Sequence, residues 1–131
     1  MSATVTHSVA ARNAATNAVI GLLGASSKLV FHPAGSTVAT PGAAIATLPF
    51  TTPTSFGTAS VGVATAAPIT SDTNAVGGTV AFASFQTSAN APVVHCAVAA
   101  SGADINMTNG LVVAAGDTVS CSSLTYSALS Q

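Results

Sequence analysis

The sequence predicts a mainly β chain, an antiparallel β-sandwich of jelly-roll or immunoglobulin-like type with one N-terminal helix. Three observations lead there. From residue 28 onward, apolar and polar residues alternate in short runs, the period of a half-buried strand. Gly, Pro, Asn and Asp separate those runs, and these are the residues that make turns. The runs amount to about seven or eight short strands, the number and spacing of a sandwich or barrel. A length of 131 residues fits one domain. It divides into an arm and helix over residues 1–24 and the sandwich over residues 25–131, with no repeat of fixed period.

The helix is expected over residues 8–23. Ala10, Ala11, Ala14, Ala15 and Ala18 favour it, Ser8 suits the N-cap, and Gly24 stands where a helix ends. Val19, Leu22 and Leu23 give it an apolar end. Residues 28–32, KLVFH, form a first strand stopped by Pro33, and residues 35–42 form a loop. A strand over 44–51 follows, where Pro49 marks an edge or a bulge because it has no N–H to give. After the turn-rich TPTSFG comes a strand over 60–69. The strand over 78–86 puts Val80 and Phe82 on one face, and Phe85 breaks the period, which suggests a bulge. Residues 92–99 alternate Val94, Cys96 and Val98 against Val93, His95 and Ala97. Asn109-Gly110 is a strong hairpin dipeptide and is expected to join two short strands. Residues 118–128 close the chain, with Val119 and Cys121 on one face, then Leu124 and Tyr126 after a one-residue slip.

Charge is nearly absent. Arg12, Lys28, Asp72, Asp104 and Asp117 are the only formally charged side chains, for a net charge of −1 and a charged fraction of 4%. Ordinary soluble domains hold roughly 25%. Without a basic patch there is nothing to neutralise phosphates, so nucleic-acid binding is excluded, as is polybasic attraction to a membrane. No run approaches the ~20 apolar residues of a membrane span. Disorder is excluded by an apolar fraction of 49%. The start of the chain lacks secretory-signal anatomy, because Asn13, Thr16 and Asn17 interrupt the apolar stretch that follows Arg12. A neutral Thr/Ser/Ala surface suits a protein packed among neighbours rather than a free monomer, whose charges normally keep it soluble.

The chemistry-bearing residues form no catalytic pattern. His7, His32 and His95 have no close-spaced ligand pair, and His95 points away from its neighbour Cys96, so no metal site is expected. The three Asp are widely spaced and each lies beside turn residues, where a carboxylate caps backbone N–H groups. No nucleophile elbow and no Gly-rich phosphate loop occurs, so no cofactor and no small-molecule substrate is expected. A hydrolase would need a concave pocket joining a Ser to one of the three His. Cys96 and Cys121 each fall on an apolar strand face. They are either a disulfide or two small buried thiols, and a chain without a secretory signal favours thiols.

Larger strings carry a resemblance. An Ala/Asn-rich helix ends in AVIGLLG and leads into KLVFHPAGS. Phe56-Gly57 is then followed by G-x-A-T-A at 62–66, I-T-S-D at 69–72 and G-T-x-x-F at 78–82. G-x-D-I-N follows at 102–106 and G-x-T-V-S-x-S-S-L-T at 116–125. Over nearly its whole length the chain resembles small, charge-poor virion structural proteins of tailed bacteriophages. Where relatives often have an aromatic-Arg pair and an Asp-Gly turn, Ala83-Ser84-Phe85 and Ala89-Asn90-Ala91 stand here. The resemblance implies a structural role and brings no active-site residue with it. The preferred expectation is a capsid cement or decoration protein on the capsid surface, assembled in the host cytoplasm and binding the major capsid protein and copies of itself. A tail or neck component is the alternative within the class. A secreted adhesin-like sandwich stapled by Cys96 and Cys121 is the alternative outside it. Contact candidates are the N-terminal segment over residues 1–13, with Met1, Ser2, Thr4 and Arg12, and the loops at 35–42 and 51–57. Phe31, Phe50 and Phe56 would serve as anchors where exposed.

Overall fold

A computed structural model describes residues 5–129. The chain runs α1 (Val9–Gly21), β1 (Lys28–His32), β2 (Ala46–Pro49), β3 (Ala64–Thr65), β4 (Gly78–Thr79), β5 (Phe82–Gln86), β6 (Pro92–Ala99), β7 (Ile105–Asn106), β8 (Val112–Val113) and β9 (Thr125–Tyr126). It is mainly β with one helix, as expected. Five strands build one sheet in the order β2-β1-β5-β6-β7, and two short ladders, β3–β9 and β4–β8, lie beside it. Every ladder is antiparallel except β6–β7.

The helix starts where Ser8 accepts the Ala11 N–H on its hydroxyl. It ends with Leu22 as cap and Gly24 at φ +68°. Its inward face is polar. Asn13 accepts the Gly62 N–H at 2.7 Å and Asn17 the Ala59 N–H at 2.8 Å. Buried Thr16 donates to Gly62 C=O at 2.8 Å and accepts the Ala128 N–H at 3.1 Å. These side chains replace the apolar stripe that usually docks a helix. They clamp a hairpin in which Ser60 and Val63 exchange both backbone hydrogen bonds around Val61 and Gly62, each at positive φ. That is the backbone of a type I′ turn, which Asn-Gly fills with little strain and a β-branched residue does not. Val61 is also exposed. Val61→Asn is therefore expected to stabilise the protein by about 1 kcal/mol, read as a higher thermal midpoint.

One face of the sheet carries Leu29, Phe31, Ala46, Leu48, Ala83, Phe85 and Val98 into the core, and Ile45, Phe50, Phe56, Val80, Val113, Val119 and Leu124 close over them. Phe85 sits at the centre of an aromatic cluster, with ring centroids 5.8 Å from Phe50, 5.7 Å from Phe56 and 6.2 Å from Tyr126. Phe31, Phe50 and Phe56 are 2%, 3% and 4% exposed, so the three aromatic anchors are core residues and offer no surface. Burying them removes far more apolar area from water than any other use of so few aromatics.

Three local expectations are corrected. Val80 and Phe82 do not share a face. Val80 enters the core, while Phe82 lies on the other side of the sheet against His95. The face changes between β4 and β5, where Val80 N–H bonds Leu111 C=O and Ala81 N–H bonds His32 C=O. The register does shift at Phe85/Gln86, but the extra residue is Val93 on β6, since Phe85 opposes Val94 and Gln86 opposes Pro92. Asn109-Gly110 makes its turn, with Gly110 N–H bonding Met107 C=O, yet the flanking strands do not pair with each other. β7 joins β6 and β8 joins β4. The turn dipeptide sets the local bend, and burial of Val113 decides which ladder the chain joins next.

Candidate functional site

The sheet face opposite the core is polar and is also covered. Register alignment puts Lys28, Val30 and His32 of β1 beside Thr47 of β2, Ser84 and Gln86 of β5, and His95 of β6. The loop over residues 33–44 crosses this face and is fastened to it at both ends. His32 Nδ1 lies 2.9 Å from Ala43 C=O, and His95 Nε2 shares a 3.0 Å hydrogen bond with Ser36 Oγ. The His95 ring stacks on Phe82 with centroids 5.1 Å apart.

Hydrogen-bond inventory fixes the protonation of His32. A carbonyl only accepts, so Nδ1 carries the proton and donates to Ala43. Nε2 of the neutral ring then accepts the Ser84 hydroxyl proton at 2.7 Å, and Ser84 Oγ accepts the Gln86 amide N–H at 2.9 Å. His32 is 1% exposed and Ser84 is 0% exposed. Burial holds the His32 pKa below its ordinary value, the Ala43 carbonyl pulls it up, and His95 nearby pushes it down.

A Ser hydroxyl at 2.7 Å from an imidazole has the distance of a nucleophile and its base. The surroundings differ from those of a reactive pair. A backbone carbonyl stands where a carboxylate would orient the ring, Gln86 occupies a lone pair of the hydroxyl, and no solvent reaches Ser84. A hollow of about 260 Å³ lies alongside, between this face and the loop, with Lys28, His32, Thr47, Gln86, Asn90 and Pro41 in its wall, but not Ser84. The network fastens the loop. Ser84 and Gln86 alternate along β5 as Val30 and His32 do along β1.

The other sequence candidates are placed as follows. Met1, Ser2 and Thr4 lie outside the described residues. Arg12 lays its stem on Gly62, where an added Cβ would stand 3.1 Å from Arg12 Cβ, and its Nε is buried without a hydrogen-bond partner. Cys96 and Cys121 are free, half-buried thiols. Burial, and then Asp104, pushes Cys96 up to about 11. Burial also raises Cys121, whose thiol donates to Ser123 C=O. Both thiols are therefore protonated at neutral pH and weakly reactive. Cys121 borders an open groove of about 600 Å³ between residues 104–110 and 117–125.

All three carboxylates accept from backbone N–H groups. Asp72 and Asp117 do so within their own turns, and Asp72 and Asp104 do so from strands β2 and β6. Asp72 accepts from Thr47 and Asn74, Asp104 from Ala97, and Asp117 from Ala114. Lys28 donates to the Asn90 side chain. Several large apolar side chains stand in solvent, among them Val112 at 78%, Val76 at 72% and Leu22 at 68% exposure. Among the described residues no three His, Cys, Asp or Glu gather in a group able to hold a metal ion, and no helix is long and apolar enough to cross a membrane. Comparison with family models, with curated proteins and with solved structures finds no match to this chain.

Proposed function

We propose that this chain is a non-enzymatic structural component of a tailed-phage virion, a decoration or cement protein that binds the major capsid protein and neighbouring copies of itself on the capsid surface. In this reading the two short ladders serve as the second layer of a jelly-roll or immunoglobulin-like sandwich. The observation that carries the proposal is the state of the surface. Its few carboxylates are engaged by the chain's own backbone, its Lys is held by Asn90, and large Val and Leu side chains stand in solvent. Such a surface gains from contact through apolar burial, at roughly 25 cal/mol per Å² before ordering costs. Repetition around a symmetric shell then turns weak single contacts into lasting attachment.

With so few charges available, attachment is expected to be nearly independent of salt. Co-sedimentation of the protein with capsid shells should recover the same bound fraction at low and high ionic strength. A shell that sheds the protein steeply as salt rises would overturn the proposal.

A further inference from the structure

The Asn109-Gly110 dipeptide connects β7 and β8, which pair with other strands and not with each other. Its turn is left with one closing hydrogen bond, from Gly110 N–H to Met107 C=O at 3.2 Å. Thr108, Asn109 and Gly110 are all exposed, so opening that bond costs little. Gly110 holds φ +103°, and a Cβ added there would meet nothing within 4 Å. No side chain therefore shields the Gly110 nitrogen, and its backbone turns freely.

The other asparagines are held or hindered. Asn13 and Asn17 lie in α1 and accept from Gly62 and Ala59, Asn90 accepts from Lys28, and Asn106 accepts from Ala103. After Asn74 comes Ala75, which is buried and whose N–H bonds Asp117 C=O at 3.1 Å. Each of these asparagines is followed by Ala or Met, whose side chain crowds the next nitrogen. Asn109 alone combines a side-chain amide that bonds to no described group with a glycine after it. Asparagine is among the thermolabile residues, and its weakness lies in this pairing.

We infer that Asn109 is a self-modification site, where the chain converts spontaneously to isoaspartate and aspartate and so gains negative charge with age. The Gly110 nitrogen bonds to Asn109 Cγ and gives up its proton, and the amide nitrogen leaves with that proton as ammonia. Water then opens the cyclic imide at one of its two carbonyls. Opening at one gives aspartate, and at the other isoaspartate, whose chain runs through the former side chain. One water is consumed and one ammonia released, with no cofactor. The change is large for this chain. It adds a carboxylate to a sequence that has three, in the wall of the groove that Asp104 and Asp117 also line. Isoaspartate also lengthens the backbone between β7 and β8 by one carbon. This chemistry belongs to the chain itself and does not rest on the virion reading.

The full chain, held in warm and mildly alkaline buffer and sampled over time, should gain an acidic form on isoelectric focusing. Peptide mapping by mass spectrometry should place the loss of the amide at Asn109. The product should contain isoaspartate as well as aspartate, a mixture that direct hydrolysis of the amide does not give. Conversion should quicken as pH rises, because the attacking nitrogen must shed its proton. Asn109→Gln would close a larger ring far more slowly. That variant should lose the acidic form while keeping the parent's thermal midpoint, since the side chain it replaces makes no bond. A chain that keeps its charge throughout, conversion spread evenly over the other asparagines, or a product of aspartate alone would overturn the inference.

Discussion

Replacing Phe85 with alanine is expected to destabilise the protein by about 3–5 kcal/mol, the range for emptying a large aromatic site in a packed core. Phe85 is 3% exposed, and its ring meets Phe50 edge-on and contacts Phe56 and Tyr126 as well. It thereby links the central strand of the sheet to β9, to the residue that follows β2, and to the loop before β3. Three aromatic contacts lose their common partner at once, and nothing nearby is long enough to fill the void. A domain of this size has about 5–15 kcal/mol in total, so the loss is a large share of its stability. Phe82→Ala, on the half-buried opposite face, should cost distinctly less. Urea titration distinguishes the two: the Phe85→Ala midpoint should fall furthest, with an unchanged slope if the native state stays compact. Equal midpoints for the two variants would mean that the aromatic cluster is not the centre of the core.

Some of this architecture was legible in local sequence and some was not, for physical reasons that differ by element. The helix was legible because both ends are chemically marked, by Ser8 and Gly24. What docks it was not, since Asn13, Thr16 and Asn17 read as interruptions until the hairpin they clamp is in view. β1 and β6 are long and bounded by Pro, and their limits matched the expected strands. The expected strands at 60–69 and 118–128 shrink to ladders of two residues, β3 and β9. Their alternation was real, but the backbone is held largely by single bridges and turns, which depend on distant partners such as Asp72 opposite Val119. The local caps of Asp72 on Asn74 and Asp117 on Ala114 were legible because a carboxylate beside a turn has backbone N–H groups within reach whatever the fold. The bonds of Asp72 to Thr47 and of Asp104 to Ala97 depend instead on strand placement. The aromatic residues were ambiguous by type: the same Phe serves as core or as anchor, and only the packed chain decides. The loop-fastening pair His32 and Ser84 lie 52 residues apart in sequence, so their meeting depends wholly on the pairing of β1 with β5.

Acid should weaken this protein through His32 before its core is otherwise challenged. Burial keeps the His32 pKa below its ordinary value of 6.5, the value the unfolded chain retains. Between the two values the unfolded state binds the proton that the folded state refuses, so stability rises with pH across that window. The contribution is complete above about 6.5 and is lost as pH falls through the folded value. Geometry gives the same sign: a proton on Nε2 turns an acceptor into a donor facing Ser84 Oγ, which already accepts from Gln86. The Ser84 hydroxyl proton would then have to find another acceptor, and Ser84 is 0% exposed. His32→Gln removes the titration and leaves part of the network unpaired, at about 1–3 kcal/mol for each buried group left unsatisfied. Its stability at pH 8 should therefore be lower than that of the parent, while the difference between the two narrows as pH drops below 6.5. Denaturant midpoints measured for both proteins over that range test the assignment. Parallel pH curves would show that His32 is not the group whose protonation loosens the fold.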